Sequence, residues 1–149
     1  MTGISIGIIG LALCVISCGI GSGLGLRATT NAAMGVLSED PNKFSKVMPI
    51  ALLPATQGIY GFIIAVMGAS SLVAGMEVVA GLNVLYATLP MTIGGTVSAI
   101  LQGNAAATTI LALDKKEEIG TKSLLFPAMV EFYALLGLVV SIILIGALA

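Results

Sequence analysis

The sequence predicts an all-α membrane protein, with four transmembrane helices arranged as two copies of one helical hairpin. Three observations carry that prediction. Only 9% of the 149 residues are charged and 58% are hydrophobic, with a mean hydropathy of +1.13. Water-soluble domains carry about 25% charged residues, so this surface suits lipid. The apolar residues fall into four stretches, each long enough for the roughly 20 residues that a spanning helix needs. The polar interruptions between them recur in the same order in both halves of the chain.

The first span is read over Gly3–Leu26. Met1-Thr2-Gly3 has no Lys or Arg, unlike the positively charged start of a removable signal peptide, so this helix is expected to be retained. It carries Gly7, Gly10, Gly19, Gly21, Gly23 and Gly25. A glycine-rich phosphate loop would continue into Gly-Lys-Ser/Thr, which is missing here. Small residues along a spanning helix let a neighbouring backbone come close, and close packing is the expected use. Cys14 and Cys18 are the only cysteines, and the chain has no histidine. Two thiols fall short of a transition-metal site, so they are expected to pack as small apolar groups.

A polar connection, Ser38-Glu39-Asp40-Pro41-Asn42-Lys43, leads to the second span, Val47–Met76. After a turn at Met76-Glu77 comes Val78–Leu113. This run is too long for one span, so its helix is expected to begin beyond a turn near Gly81–Asn83. A second polar connection, Asp114-Lys115-Lys116-Glu117-Glu118, precedes the fourth span, Ser123–Ala149. Spans two and four both carry a Pro-Ala pair, Pro54-Ala55 and Pro127-Ala128. From connection to polar residue is 18 positions in the first half (Glu39 to Gln57) and 17 in the second (Asp114 to Glu131). An internal repeat sets the architecture. Residues 1–76 are read as one hairpin and 77–149 as the other.

Charge fixes the expected orientation. Arg27, Lys43 and Lys46 flank the first connection and Lys115, Lys116 and Lys122 the second, and together they are all six basic residues. Basic loops stay in the cytoplasm, so both connections are expected inside the cell and both termini outside. Glu39, Asp40, Asp114, Glu117 and Glu118 then form a solvated cytoplasmic face suited to a soluble partner, with Glu77 at the outer turn.

The informative residues are the polar ones within the spans. A carboxylate at mid-bilayer costs at least about 2.5–3.5 kcal/mol and is functional by default. At 1.5 Å per residue, Glu131 lies roughly 14 Å beyond Lys122, Gln57 roughly 17 Å beyond Lys46, and Gln102 roughly 18 Å before Asp114. Three helices thus bring a polar side chain to nearly one depth. Leu53, Gln57 and Tyr60 share a helical face by their i, i+4, i+7 spacing, with Thr56 alongside. Pro54 cannot donate a backbone hydrogen bond, which loosens the ladder where Leu53 could turn its carbonyl to a ligand, and Pro127 does the same before Glu131. Each glutamine alone could be an interhelical hydrogen bond worth about 0.6 kcal/mol. Together with one acid, these hard oxygens suit a cation. A single negative charge favours a monovalent ion, Na⁺, whereas a proton would leave Gln57, Gln102 and Thr56 without a task.

These features resemble the membrane-ring proteolipid of V-type rotary ATPases, known by the letters K or c. The likeness covers the whole chain, through the duplicated hairpin, the glycine-rich first helix and Phe126-Pro127-Ala128-Met129-Val130-Glu131. Leu53-Pro54-Ala55-Thr56-Gln57-Gly58-Ile59-Tyr60-Gly61 resembles the bacterial sodium-dependent branch. The resemblance implies Glu131 as ion carrier, with Na⁺ held by Glu131, Gln57, Gln102 and Thr56 side chains and the Leu53 carbonyl, and with Tyr60 hydrogen-bonded to Glu131. It implies a homo-oligomeric ring in a prokaryotic plasma membrane, turning against a stator subunit while a separate soluble head handles ATP. The central stalk would meet the cytoplasmic loops. Arg27, the sole arginine, lies at a helix end, so the stator is expected to supply the arginine opposite an emptied Glu131. The resemblance also implies that the first hairpin has lost its acid, with Gln57 there instead. Three other readings remain at this point: the same ring protein carrying H⁺, a small proton-coupled multidrug transporter, and a purely structural membrane protein. Nothing in the sequence suggests a nucleotide site, a nucleophile with its base, or a nucleic-acid partner.

Overall fold

The computed structural model describes residues 2–148. Met1 and Ala149 lie outside the described residues, as do the side chains of Glu117, Gly120 and Thr121. The chain forms α1 (Gly3–Glu39), α2 (Phe44–Ala51), α3 (Thr56–Ala69), α4 (Val78–Lys115), α5 (Glu117–Ser123) and α6 (Leu125–Gly146), with 3₁₀ turns at Pro41–Lys43 and Leu53–Ala55. Four stretches are long and apolar enough to cross a membrane: Gly3–Glu39, Pro41–Ala69, Val78–Lys115 and Leu125–Gly146.

The helix ends differ from the apolar runs for identifiable reasons. α1 has 37 residues, or about 56 Å at the helical rise, and so outruns a hydrocarbon core of about 30 Å. Beyond Leu26 nothing in the sequence breaks a helix until Pro41. Asp40, held extended before that proline as the pre-proline position requires, ends the helix and accepts from Asn42 N at 3.0 Å. The second span stops at Ala69 rather than Met76, and the turn that follows contains Gly75 at φ +78°.

α4 corrects the expected turn near Gly81–Asn83, because the helix runs unbroken from Val78. Gly81 is a contact glycine, and a Cβ there would lie 2.9 Å from Gly3 Cα. Pro90 also lies inside α4, and the next amide, Met91 N, is bonded by Ser141 Oγ at 3.1 Å. The fourth span is narrower than expected, because Leu124 separates α5 from α6.

α1 and α4 pack against each other most extensively, α3 flanks α1, and α6 flanks α4. Glycine makes the α1–α4 approach close, since a Cβ on Gly21 would lie 2.6 Å from the Thr96 carbonyl oxygen. Two apolar clusters hold the four helices. Val36, Val47, Ile50, Ile110 and Leu113 pack near the connections. Cys14, Cys18, Ile64, Ala87 and Met91 pack toward the other end. Both cysteines are free and buried, as their packing role requires. Lys43 Nζ meets Asp114 Oδ1 at 2.8 Å, which joins the two connections at one end of the molecule.

The duplication is visible in the backbone. Lys116 N bonds Ala112 O as Asp40 N bonds Val36 O, both at 3.0 Å. The two helices at the centre of the packing, α1 and α4 (the inner helices, with α3 and α6 the outer ones), therefore correspond at an interval of 76 residues. The first connection holds one extra 3₁₀ turn, the three residues Pro41–Lys43, which reduces the interval for the outer helices to 73 and matches Pro54 to Pro127. Counted this way, Gly58 rather than Gln57 stands at the position of Glu131, each four residues beyond its proline.

Candidate ion-binding site

Between the two apolar clusters α4 turns polar, and Ser98 and Gln102 are buried there beside Gln57 of α3. The local geometry starts from Pro54. With no N–H to donate, it leaves the chain in a 3₁₀ turn over Leu53–Ala55, and the Leu53 carbonyl accepts from Thr56 N. The same carbonyl lies 2.9 Å from Thr56 Oγ1.

Thr56 Oγ1 is the hub of the site. Besides Leu53 O, it lies 2.7 Å from Glu131 Oε1 and 3.3 Å from Gln57 Oε1. A threonine hydroxyl has one proton to give, yet three oxygen acceptors surround it. Tyr60 donates its hydroxyl to Glu131 Oε1 at 2.8 Å. Gln102 Nε2 donates to the other carboxylate oxygen, Oε2, at 2.6 Å and to Pro127 O at 3.1 Å. Gln102 Oε1 accepts from Gln57 Nε2 at 2.7 Å, and this bond turns the Gln57 carbonyl toward Thr56. Gln57 and Gln102 are 0% exposed. The Lys43–Asp114 salt bridge is distant, and among the described residues no Lys or Arg pairs with Glu131.

All six residues expected at the site, Leu53, Thr56, Gln57, Tyr60, Gln102 and Glu131, thus join one hydrogen-bonded network. Gln102 enters it differently from expectation, presenting its amide nitrogen to the acid while its oxygen faces Gln57. Sequence reasoning missed Ser98, whose Oγ donates to Val130 O at 3.0 Å and lies 3.4 Å from Gln57 Nε2. Its spacing of i−4 from Gln102 was the available signal. It also missed Ser22, whose Oγ accepts from Gly58 N at 2.8 Å and ties α1 to α3 beside the site.

The arrangement has more oxygen lone pairs than protons, one carboxyl group with no cationic partner among the described residues, and only hard donors. It can hold a small cation. Among the described residues no three His, Cys, Asp or Glu side chains cluster, so the donor set differs from that of a transition-metal centre.

Fold and site together define a class, a membrane protein of paired helical hairpins with one carboxyl group, Glu131, drawn into a hydrogen-bonded network between its spans. The sequence model of the ATP synthase C-subunit family matches the chain twice, over residues 9–68 and 85–144, and the chain belongs to that family. It is 43% identical over 143 residues to the V-type sodium ATPase subunit K of Enterococcus hirae, covering 96% of this chain and 92% of that protein. It is 34% identical over 140 residues, 94% of this chain, to the A-type ATP synthase subunit K of Methanocaldococcus jannaschii, of which it spans 61%. The chain is a multi-pass membrane protein whose role is transport rather than catalysis, and the drug-transporter reading is set aside.

Proposed function

We propose that this chain is the rotor-ring subunit of a V-type ATPase and carries Na⁺ on Glu131. The carrying observation is the Thr56 hydroxyl, whose one proton faces three acceptor oxygens, those of Leu53, Gln57 and Glu131. A bound Na⁺ would use the lone pairs that this proton cannot reach. Leu53 O, Thr56 Oγ1, Gln57 Oε1 and Glu131 Oε1 are the ligands in this reading. Gln102 joins them through its oxygen once its amide turns over; as it stands, it steadies the carboxylate. Tyr60 holds Glu131 from the lipid side without touching the ion.

The proton reading uses less of the same geometry. Glu131 Oε2 faces an N–H donor, Gln102 Nε2, so a carboxylic proton would sit on Oε1 and be accepted by Thr56 Oγ1, which leaves the Gln57 Oε1 lone pairs without a role. Sodium loading would then proceed as the carboxylate opens to one side of the membrane, and unloading as a stator arginine approaches it. That counter-charge comes from another chain in this reading, because Arg27 is exposed on α1. ATP chemistry belongs to a separate soluble head, with central-stalk subunits meeting the connections. Both connections are assigned to the cytoplasm and the termini to the outside of the plasma membrane, with the hairpin boundary at 76/77. The positive-inside rule supports that orientation.

The test is carbodiimide labelling of Glu131 in membranes. Na⁺ at constant pH is expected to protect the carboxyl, and protection is expected to weaken as pH falls because protons compete for a ligand that must be deprotonated. Labelling indifferent to Na⁺ would overturn the sodium reading in favour of H⁺.

A further inference from the structure

The amides of Gln57 and Gln102 are joined in an order that their neighbours dictate. Gln57 Nε2 carries two N–H donors. One goes to Gln102 Oε1 at 2.7 Å, and the other points to Ser98 Oγ at the longer distance of 3.4 Å. Ser98 has one proton to give, and Val130 O accepts it at 3.0 Å. Toward Gln57 the serine oxygen is therefore an acceptor only. Ser98 is 2% exposed and Gln57 0%, so bulk water replaces neither partner. This fixes the Gln57 nitrogen toward α4 and its oxygen toward the acid, 3.3 Å from Thr56 Oγ1.

The sodium reading asks for one rearrangement. As it stands, Gln102 gives N–H groups to Glu131 Oε2 and to Pro127 O. For the Gln102 oxygen to reach the ion its amide turns over, and its nitrogen then faces Gln57 Nε2. Two donors meet where a 2.7 Å bond stood. A buried donor left without an acceptor is costly, and Gln57 has two ways out. Turning its own amide takes its oxygen off the ion. Passing its N–H to Ser98 keeps that oxygen in place.

We propose that Ser98 is a positioning residue for sodium binding, which takes the Gln57 N–H that Gln102 gives up, so that both amide oxygens face the ion at once. This deepens the sodium reading and rests on it. Ser98 does not ligate the ion; it acts through Gln57. The serine at the same register of the first hairpin, Ser22, is engaged with Gly58 N instead.

The test uses the intact complex in native membranes. Ser98→Ala is expected to raise the Na⁺ concentration that half-protects Glu131 from carbodiimide roughly 10-fold. Ser98→Cys offers a weaker acceptor of similar size, so a rise of about threefold is expected, and it serves alone if Ser98→Ala does not assemble. Two further readouts separate positioning from packing. Without Na⁺, Gln57 keeps its bond to Gln102, so the pH of half-maximal labelling is expected to be the same in wild type and both Ser98 variants. In a Gln57→Met background no side-chain N–H is left to receive, and adding a Ser98 variant is expected to raise the half-protecting Na⁺ by less than about twofold more. The proposal is overturned if the Ser98 variants are protected like wild type, if the Na⁺-free pH profile moves with the sodium affinity, or if the variants cost as much beside Gln57→Met as in wild type. Indifference of wild-type Glu131 to Na⁺ would sink the ion reading itself, whereas a protected wild type with unaffected Ser98 variants sinks this inference alone.

Discussion

The two hairpins share a backbone plan and differ in what they bring to one level of it. Both outer helices loosen at a proline, and both inner helices carry a serine at the same register, Ser22 and Ser98. Ser22 Oγ accepts from the Gly58 amide, and Ser98 Oγ donates to the Val130 carbonyl, which belongs to the peptide unit that precedes Glu131. In the second hairpin that level adds Glu131 and Gln102. In the first it has Gly58 and Leu26 instead. Yet the first hairpin keeps the rest of the donors, Leu53, Thr56, Gln57 and Tyr60, and the second has Phe126, Met129, Val130 and Tyr133 at those positions. Neither hairpin contains a whole site. The acid and the proposed ligands stand on different copies of one motif, which meet only where the hairpins pack.

The largest expected effect comes from removing the acid that distinguishes the second hairpin. Glu131→Gln is expected to abolish ATP-driven ²²Na⁺ uptake into membrane vesicles. Gly58→Ala, at the matching position, is expected to change it less than about threefold, because its Cβ would meet the Ser22 hydroxyl at 3.2 Å, a contact that a small shift of one side chain relieves. Comparable losses in both variants would break the asymmetry.

Gln102→Leu makes the second hairpin resemble the first at the other distinguishing position. It removes the 2.6 Å bond to Glu131 Oε2 and the 2.7 Å partner of Gln57 Nε2. Hydrogen bonds to charged groups contribute about 1.5–3 kcal/mol. At 1.4 kcal/mol per factor of ten, the Na⁺ concentration that half-protects Glu131 from carbodiimide is expected to rise roughly 10- to 150-fold. An unchanged value would mean that Gln102 merely packs.

Next in size is the seam between the hairpins. Gly21→Val would drive a side chain into the Thr96 backbone, and overpacking of this kind costs about 1–3 kcal/mol. Gly35→Val, on the same helix with nothing within 4 Å, changes only local helix preference by a few tenths of a kcal/mol. Thermal unfolding in detergent is expected to fall clearly for the first and little for the second. Equal shifts would remove the seam as the reason for the glycines of α1.

Much of this was legible in sequence because the membrane makes polarity rare. Gln57, Gln102 and Glu131 stood out against apolar spans, and counting helical rise brought them to one depth that their hydrogen bonds share. The helix ends were less legible, since α1 and α4 continue past the apolar runs and hydropathy does not record where a helix leaves lipid. Gly81 was misread as a turn because glycine serves both turns and close contacts, and only the facing Gly3 decides between them. The match of Gly58 to Glu131 was hidden by the extra turn at Pro41–Lys43, which shifts the repeat by three residues between the inner and outer helices. Which amide atom Gln102 presents depends on Gln57 and Pro127 together, and spacing along one helix does not encode it.

The smallest expected effect is also the sharpest comparison, because it uses the same residue type at matching positions. Tyr60 and Tyr133 each lie six residues beyond their proline. Tyr60 donates to Glu131 Oε1 at 2.8 Å, whereas Tyr133 is 69% exposed in the single chain. Tyr60→Phe deletes one hydrogen bond to a charged group, so sodium protection of Glu131 is expected to weaken about tenfold. Tyr133→Phe is expected to leave it within about twofold, because the hydroxyl that reaches Glu131 is that of Tyr60. If Tyr133→Phe weakened protection as much as Tyr60→Phe, the division of labour between the hairpins would have to be redrawn.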